Sequence, residues 1–152
     1  MDPSLRLSCP ETPTDPAEQP ILARTPYCSL VGSLMYLAIG TRPDIAYSMH
    51  TLCRFLDCYR TVHWEATKCV VCYLKGTRDL HLHLGGDHVA RLLGSTDSDF
   101  ALCTSTHKSI SGYCFSLGSR VITWCAKQQP IVTLSTCEAK YVAACEASRE
   151  LI

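Results

Sequence analysis

Apolar positions along this 152-residue chain change period once, and the change divides it. From Pro26 to Lys75 they recur at helical spacing: Leu30, Val31, Leu34, Leu37 and Ala38 form one stripe, and Ile45, Met49, Leu52, Cys53 and Leu56 a second. Gly40 ends the first of these helices and Pro43 stands in the first turn of the next. A third helix is expected from near Thr61 through Trp64, Val70, Val71 and Leu74, stopped by Gly76. Past Gly85 and Gly86 the period becomes that of strands. Residues 91–97 read as one strand and 110–117 as a second, alternating through Tyr113, Phe115 and Leu117. Residues 120–126 follow as a third across a Gly118-Ser119 loop with a type II′ signature. Ser135 then precedes an alanine-rich helix. Residues 1–24 hold five prolines, Pro3, Pro10, Pro13, Pro16 and Pro20, and no sustained period, which predicts a flexible or extended lead-in. The expected organisation is a lead-in over 1–24, a helical part over 25–86, and a part over 87–152 built from three antiparallel strands and a helix. The fold class is α/β in the broad sense, more strictly α+β.

Composition narrows what such a chain could do. Lys and Arg total 14, as do Asp and Glu, so the formal net charge is zero. Proteins that grip nucleic acid by its backbone carry a basic stripe, because phosphate contacts supply most of the non-specific affinity. The scattered cations here predict weak binding of that kind. No apolar run approaches the roughly 20 residues of a membrane helix, and no secretory signal opens the chain, so cytosol or nucleus is expected, with no membrane partner. Eleven cysteines are an excess, and their odd number argues against a closed disulfide framework. Cys69 and Cys72 have zinc-like spacing, with Cys53 and Cys58 upstream. A tetrahedral zinc site needs its ligands on converging turns, whereas all four lie in helical pattern, Cys53 and Cys58 about 140° apart around the axis. Buried or incidental thiols are the expected reading, and a small zinc-binding structural protein the alternative.

Two acidic residues flank the hairpin. Asp97 lies in LLGSTDSDF, and Glu138 lies in LSTCEAKYVAA at the start of the last helix. A strand carboxylate, a hairpin and then a helix carboxylate is the order in which a ribonuclease H fold begins a two-metal site, its hard ions about 4 Å apart. Each residue also has a structural role open to it. Asp97-Ser98-Asp99 is a turn pattern, and Ser135-Thr136-Cys137-Glu138 is a capping box in which the glutamate satisfies the N-cap amide.

Three long runs go further. YCSLVGSLMYLAIGTRPDIAYSMHTLCRF, HWEATKCVVCYLKGTRDLHLHLGG and STDSDFALCTSTHKSISGYCFSLGSRVITWCAKQQPIVTLSTCEAKYVAACEASREL resemble the copia-type retrotransposon Pol polyprotein, at the end of its reverse transcriptase and the beginning of its RNase H domain. The resemblance covers nearly all of residues 26–152. It implies that Asp97 matches the catalytic aspartate of a Ser-Asp-Ala-Asp-Trp type segment, and Glu138 the glutamate of a Ser-Thr-Glu-Ala-Glu segment. The implied activity is hydrolysis of RNA in an RNA/DNA hybrid with Mg²⁺ or Mn²⁺, Asp97 and Glu138 serving as catalytic and metal-binding residues. It also implies that the remaining acidic ligands lie past Ile152 and the polymerase carboxylates before residue 1. The expectation is therefore an incomplete site that holds ions weakly and does not cut hybrid.

Departures from the family pattern point the same way. Cys28, Cys69 and Cys72 fall where the family usually has arginine, His107 in a stretch usually arginine-rich, and Lys140 where it usually has glutamate. Each is one C-to-T or G-to-A transition from common codons, which fits decay of an old element copy and accounts for the cysteine excess without a metal. Ordinary lineage divergence is the alternative. A retained non-catalytic module that binds nucleic acid or a protein partner is the alternative function, and neutral charge speaks against it.

Overall fold

The computed structural model describes residues 7–8, 18–84, 91–103, 105–118 and 120–152. They belong to two compact units, Met1–His81 and Leu82–Ile152. The boundary expected near Gly85 and Gly86, and Ser119 of the hairpin loop, lie outside the described residues.

The first unit is helical: α1 (Gln19–Arg24), α2 (Tyr27–Gly40), a 3-10 turn (Pro43–Ile45), α3 (Ala46–Cys53) and α4 (Thr61–Gly76). α2 buries Tyr27, Val31, Leu34 and Ala38, spaced by three or four residues. Past Gly40, the residue before proline resists helical geometry, and the Thr41 and Arg42 amides both close onto the Leu37 carbonyl. Ile45, Met49 and Leu52 meet this stripe from the next segment, and Ala66 and Val70 from α4. Tyr27 is fully buried, donates its hydroxyl to the Leu52 carbonyl at 2.9 Å, and stacks on Tyr59 with centroids 4.5 Å apart.

Two features differ from the sequence reading. α1 is a helix inside the stretch expected to be irregular. It buries no residue, so it leaves no apolar stripe to read. Polar anchors hold it instead: Tyr59 Oη donates to the Leu22 carbonyl at 3.0 Å, and Thr61 Oγ1 donates to Glu18 Oε1 at 2.8 Å. In α4 the buried face is His63, Ala66, Thr67 and Val70, while Val71 is exposed. His63 takes the capping position usually held by an acid, its Nδ1 accepting the Arg60 amide at 2.9 Å. Burial pushes its pKa below the ordinary 6.5, against a backbone contact from Ser8 that favours the charged form. The α2–α3 turn is clamped to the end of α4 by Arg42, whose guanidinium forks onto Asp44 at 2.9 and 2.6 Å and reaches Thr77 Oγ1 at 2.7 Å.

The second unit is a three-stranded antiparallel sheet in the order β1 (Leu92–Asp99), β2 (Ile110–Leu117), β3 (Arg120–Gln128), followed by α5 (Thr136–Glu150). This is the α+β arrangement expected. Gly118 has φ 66° and Leu117 pairs with Arg120, so a two-residue loop with a left-handed first position closes the hairpin. A bulge after Phe115 shifts the register, pairing Phe115 with Thr123 and Ser116 with Val121. β1 runs two residues farther than expected, so Asp97 sits within the ladder opposite Gly112, and Asp99 closes it opposite Ile110 instead of lying in a loop. Among the described residues no helix is long and apolar enough to cross a membrane.

Candidate functional site

Whatever chemistry Asp97 supports depends on where α5 lies against the sheet, and small residues set that distance. Ala139, Ala143 and Ala147 recur every four positions and are all buried, giving α5 a ridge without long side chains to hold it off. Gln129, 1% exposed, fixes the first turn: its Nε2 donates to the Ala139 carbonyl at 2.8 Å and to Ser111 Oγ at 2.9 Å. The β3–α5 connection is tied down further by the Ser109 hydroxyl, 3.0 Å from Thr133 Oγ1, and by Lys108 Nζ donating to the Pro130 carbonyl at 2.7 Å.

Glu138 is engaged at the helix start. Ser135 Oγ accepts the Glu138 amide at 3.1 Å, and Glu138 Oε2 accepts the Leu134 amide at 2.7 Å, one residue before the N-cap whose amide the sequence had marked as its partner. The α5 side chain that meets Asp97 is Lys140, its Nζ 3.4 Å from Asp97 Oδ1. Helix geometry explains the division: residues 138 and 140 leave the axis about 200° apart, on opposite sides of the buried Ala139. Both members of the pair are well exposed, Lys140 at 64% and Asp97 at 77%. The Ser98 backbone first, and then the Lys140 ammonium, hold the Asp97 carboxyl below the usual carboxylate range.

These residues do not fit a divalent ion. A hard cation needs several oxygen ligands converging, yet one carboxylate faces an ammonium and the other accepts a cap amide. Among the described residues no group of three or more His, Cys, Asp or Glu side chains could hold a metal. The cysteine quartet is dispersed in character: Cys69 and Cys72 are exposed on α4, Cys58 is disulfide-bonded, and burial pushes the Cys53 thiol pKa up. His107 lies in the β1–β2 connection at φ 51°, its amide donating to the Cys103 carbonyl at 2.7 Å. In the sequence Lys140 stands out as a departure from the family pattern, not as a neighbour of Asp97. The spacing of the three alanines carries that signal, since it fixes which flank of α5 each neighbour occupies. Gln129 left no comparable mark, because a lone glutamine after a strand reads as surface.

What a sheet with a helix on it, bearing Asp97 and Asp99 on β1, belongs to is made specific by the relatives. The chain belongs to a family of sequences related to retrotransposon Pol polyproteins, one that includes a shorter protein of nearly the same extent. It is 43% identical over 148 residues, 97% of its length, to the Retrovirus-related Pol polyprotein from transposon TNT 1-94 of Nicotiana tabacum, of which it spans 11%. It is 37% identical over 131 residues to Secreted RxLR effector protein 161 of Plasmopara viticola, covering 86% of this chain and 92% of that protein. The polyprotein from transposon RE2 of Arabidopsis thaliana matches at 38% over 127 residues, 84% of this chain and 9% of the relative. No family model and no solved structure matches the chain.

Proposed function

We propose that the chain is a relic of a copia-type retrotransposon Pol polyprotein, spanning the end of the reverse transcriptase and the beginning of its RNase H domain, and that it does not cleave RNA. Asp97 and Glu138 are then the remnants of a site whose parent hydrolysed the RNA strand of an RNA/DNA hybrid with Mg²⁺ or Mn²⁺. The observation that carries this reading is the Asp97–Lys140 ion pair: the strand carboxylate is balanced by a lysine on the helix flank that faces it. The capping bond of Glu138 supports it, and so does the high identity to a polyprotein of which the chain spans about a tenth.

The test is a cleavage assay with end-labelled RNA annealed to DNA, run with the full 152-residue chain in Mg²⁺ and in Mn²⁺. The expected result is no product above buffer, with Asp97→Asn indistinguishable from the parent. Hybrid cleavage that disappears in Asp97→Asn would overturn the reading. A second reading is a non-catalytic binding module, and the similarity to a protein named as an effector supports it. Fluorescence anisotropy with labelled hybrid separates the two. The relic reading expects weak binding that vanishes with added salt, as a zero net charge implies.

A further inference from the structure

We propose that Lys140 stands in for the cation beside Asp97, so that this corner of the sheet is a metal-free ion pair and residue 140, not residue 138, decides whether a divalent ion binds there. The inference rests on the reading above only in taking Asp97 as the carboxylate of interest. Its substance is local geometry. Ala139 turns toward the sheet, Glu138 departs on one side to cap the helix, and Lys140 departs on the other to Asp97. A divalent ion on Asp97 would sit within a few ångströms of the ammonium, in a place where like charges repel. Glu138 does not turn to that flank of the helix, its Oε2 accepting the Leu134 amide instead.

Replacing Lys140 by glutamate reverses the charge at the facing position and supplies a second oxygen ligand without disturbing the capping box. The pair is exposed, and exposed pairs contribute little to folding. The variant is therefore expected to fold, which near-unchanged amide spectra verify. The probe is Mn²⁺ itself, titrated into the ¹⁵N-labelled full chain while paramagnetic broadening of amide signals is followed. In the parent no saturable broadening is expected around Asp97 and the first turns of α5. Lys140→Glu is expected to gain saturable broadening there, at an apparent affinity at least about tenfold higher than the parent, and Asp97→Asn in that background to lose it. Lys140→Gln falls between. Saturable binding at Asp97 in the parent as tight as in Lys140→Glu overturns the proposal, as does a folded Lys140→Glu chain that shows none. Neither outcome bears on origin: an inactive chain that binds Mn²⁺ at Asp97 sinks this inference alone, while a chain that cuts hybrid sinks the functional reading.

Discussion

Gly94→Ala should destabilise the sheet unit through a single contact. Gly94 lies directly across from Phe115 in the β1–β2 ladder, and a Cβ added there would stand 2.4 Å from Phe115 Cε1 and 2.8 Å from Cδ1. The ring would have to retreat by roughly an ångström to reach ordinary contact. Phe115 is 3% exposed, its ring centroid 5.5 Å from that of Tyr113, so retreat on that side is resisted. The ring also lines an open groove of about 320 Å³, with Leu92, Thr96, Ala144, Ala147 and Leu151 among others, which gives it some room. Overpacking a well-filled site costs about 1–3 kcal/mol, and the available groove favours the lower half of that range. Against it, alanine in a strand recovers about 0.5–1 kcal/mol of the backbone entropy that glycine loses on folding. The net expectation is a loss of about 1 kcal/mol, several-fold in the folded-to-unfolded ratio. Urea unfolding in a Trp64→Phe background, where Trp124 fluorescence reports the sheet, should show a lower midpoint at unchanged slope. The decisive comparison adds Phe115→Leu: with the ring gone, Gly94→Ala should become neutral or stabilising. If the two substitutions are additive within the usual error of about 0.5 kcal/mol, the aromatic clash is not what requires glycine.

Arg42→Ala should cost about 1–2 kcal/mol, below the full value of charged hydrogen bonds because Asp44 is 31% exposed. Arg42 hydrogen bonding lowers the Asp44 pKa from 3.8, so the pair's contribution is complete above that value and disappears as pH falls through the folded pKa; acid unfolding of Arg42→Ala should lack that component. His63, with its pKa depressed by burial, adds stability above pH 6.5 that is lost as pH falls toward its folded value, and His63→Gln should flatten the pH dependence of helical-unit stability in that window. Gln129→Ala leaves the Ala139 carbonyl and Ser111 hydroxyl without that partner and should cost about 1–3 kcal/mol, with hydrogen exchange accelerating first at the start of α5. Chelation with EDTA should leave thermal unfolding unchanged, and a downward shift on chelation would count against a metal-free corner.

The sequence carried the parts of the fold in which one face repeats. Val31, Leu34 and Ala38 stand at helical spacing and are buried; the residues expected to alternate do lie in a strand, with Phe115 buried but Leu117 exposed. It did not carry α1, whose tethers are side-chain bonds from Tyr59 and Thr61, more than thirty residues away. It misjudged α4 for a related reason. The buried face there includes the small Ala66 and Thr67, which leave no large apolar stripe to read, whereas Val71 looked like core and faces outward. At the candidate site the two acidic positions were legible as types, but the partner of each was not. Glu138 and Lys140 are two residues apart, and only the placement of Ala139 against the sheet says which of them looks toward Asp97.

β1 also has a consequence for handling the protein. Among the described residues it is an outer strand of the sheet, eight residues long and exposed along nearly its whole length, and it pairs with β2 on one side. An outer strand is a template for further strands, and charged side chains along it are what discourages unwanted association. Leu92 and Leu93 mark the sticky end of this edge, 50% and 47% exposed, while Asp97 and Asp99 guard the other. The aspartate of interest for chemistry is thus also a solubility guard. Asp97→Asn removes one of the two carboxylates and leaves the Lys140 ammonium without that partner, so light scattering belongs beside every assay in which the variant serves as the inactive control.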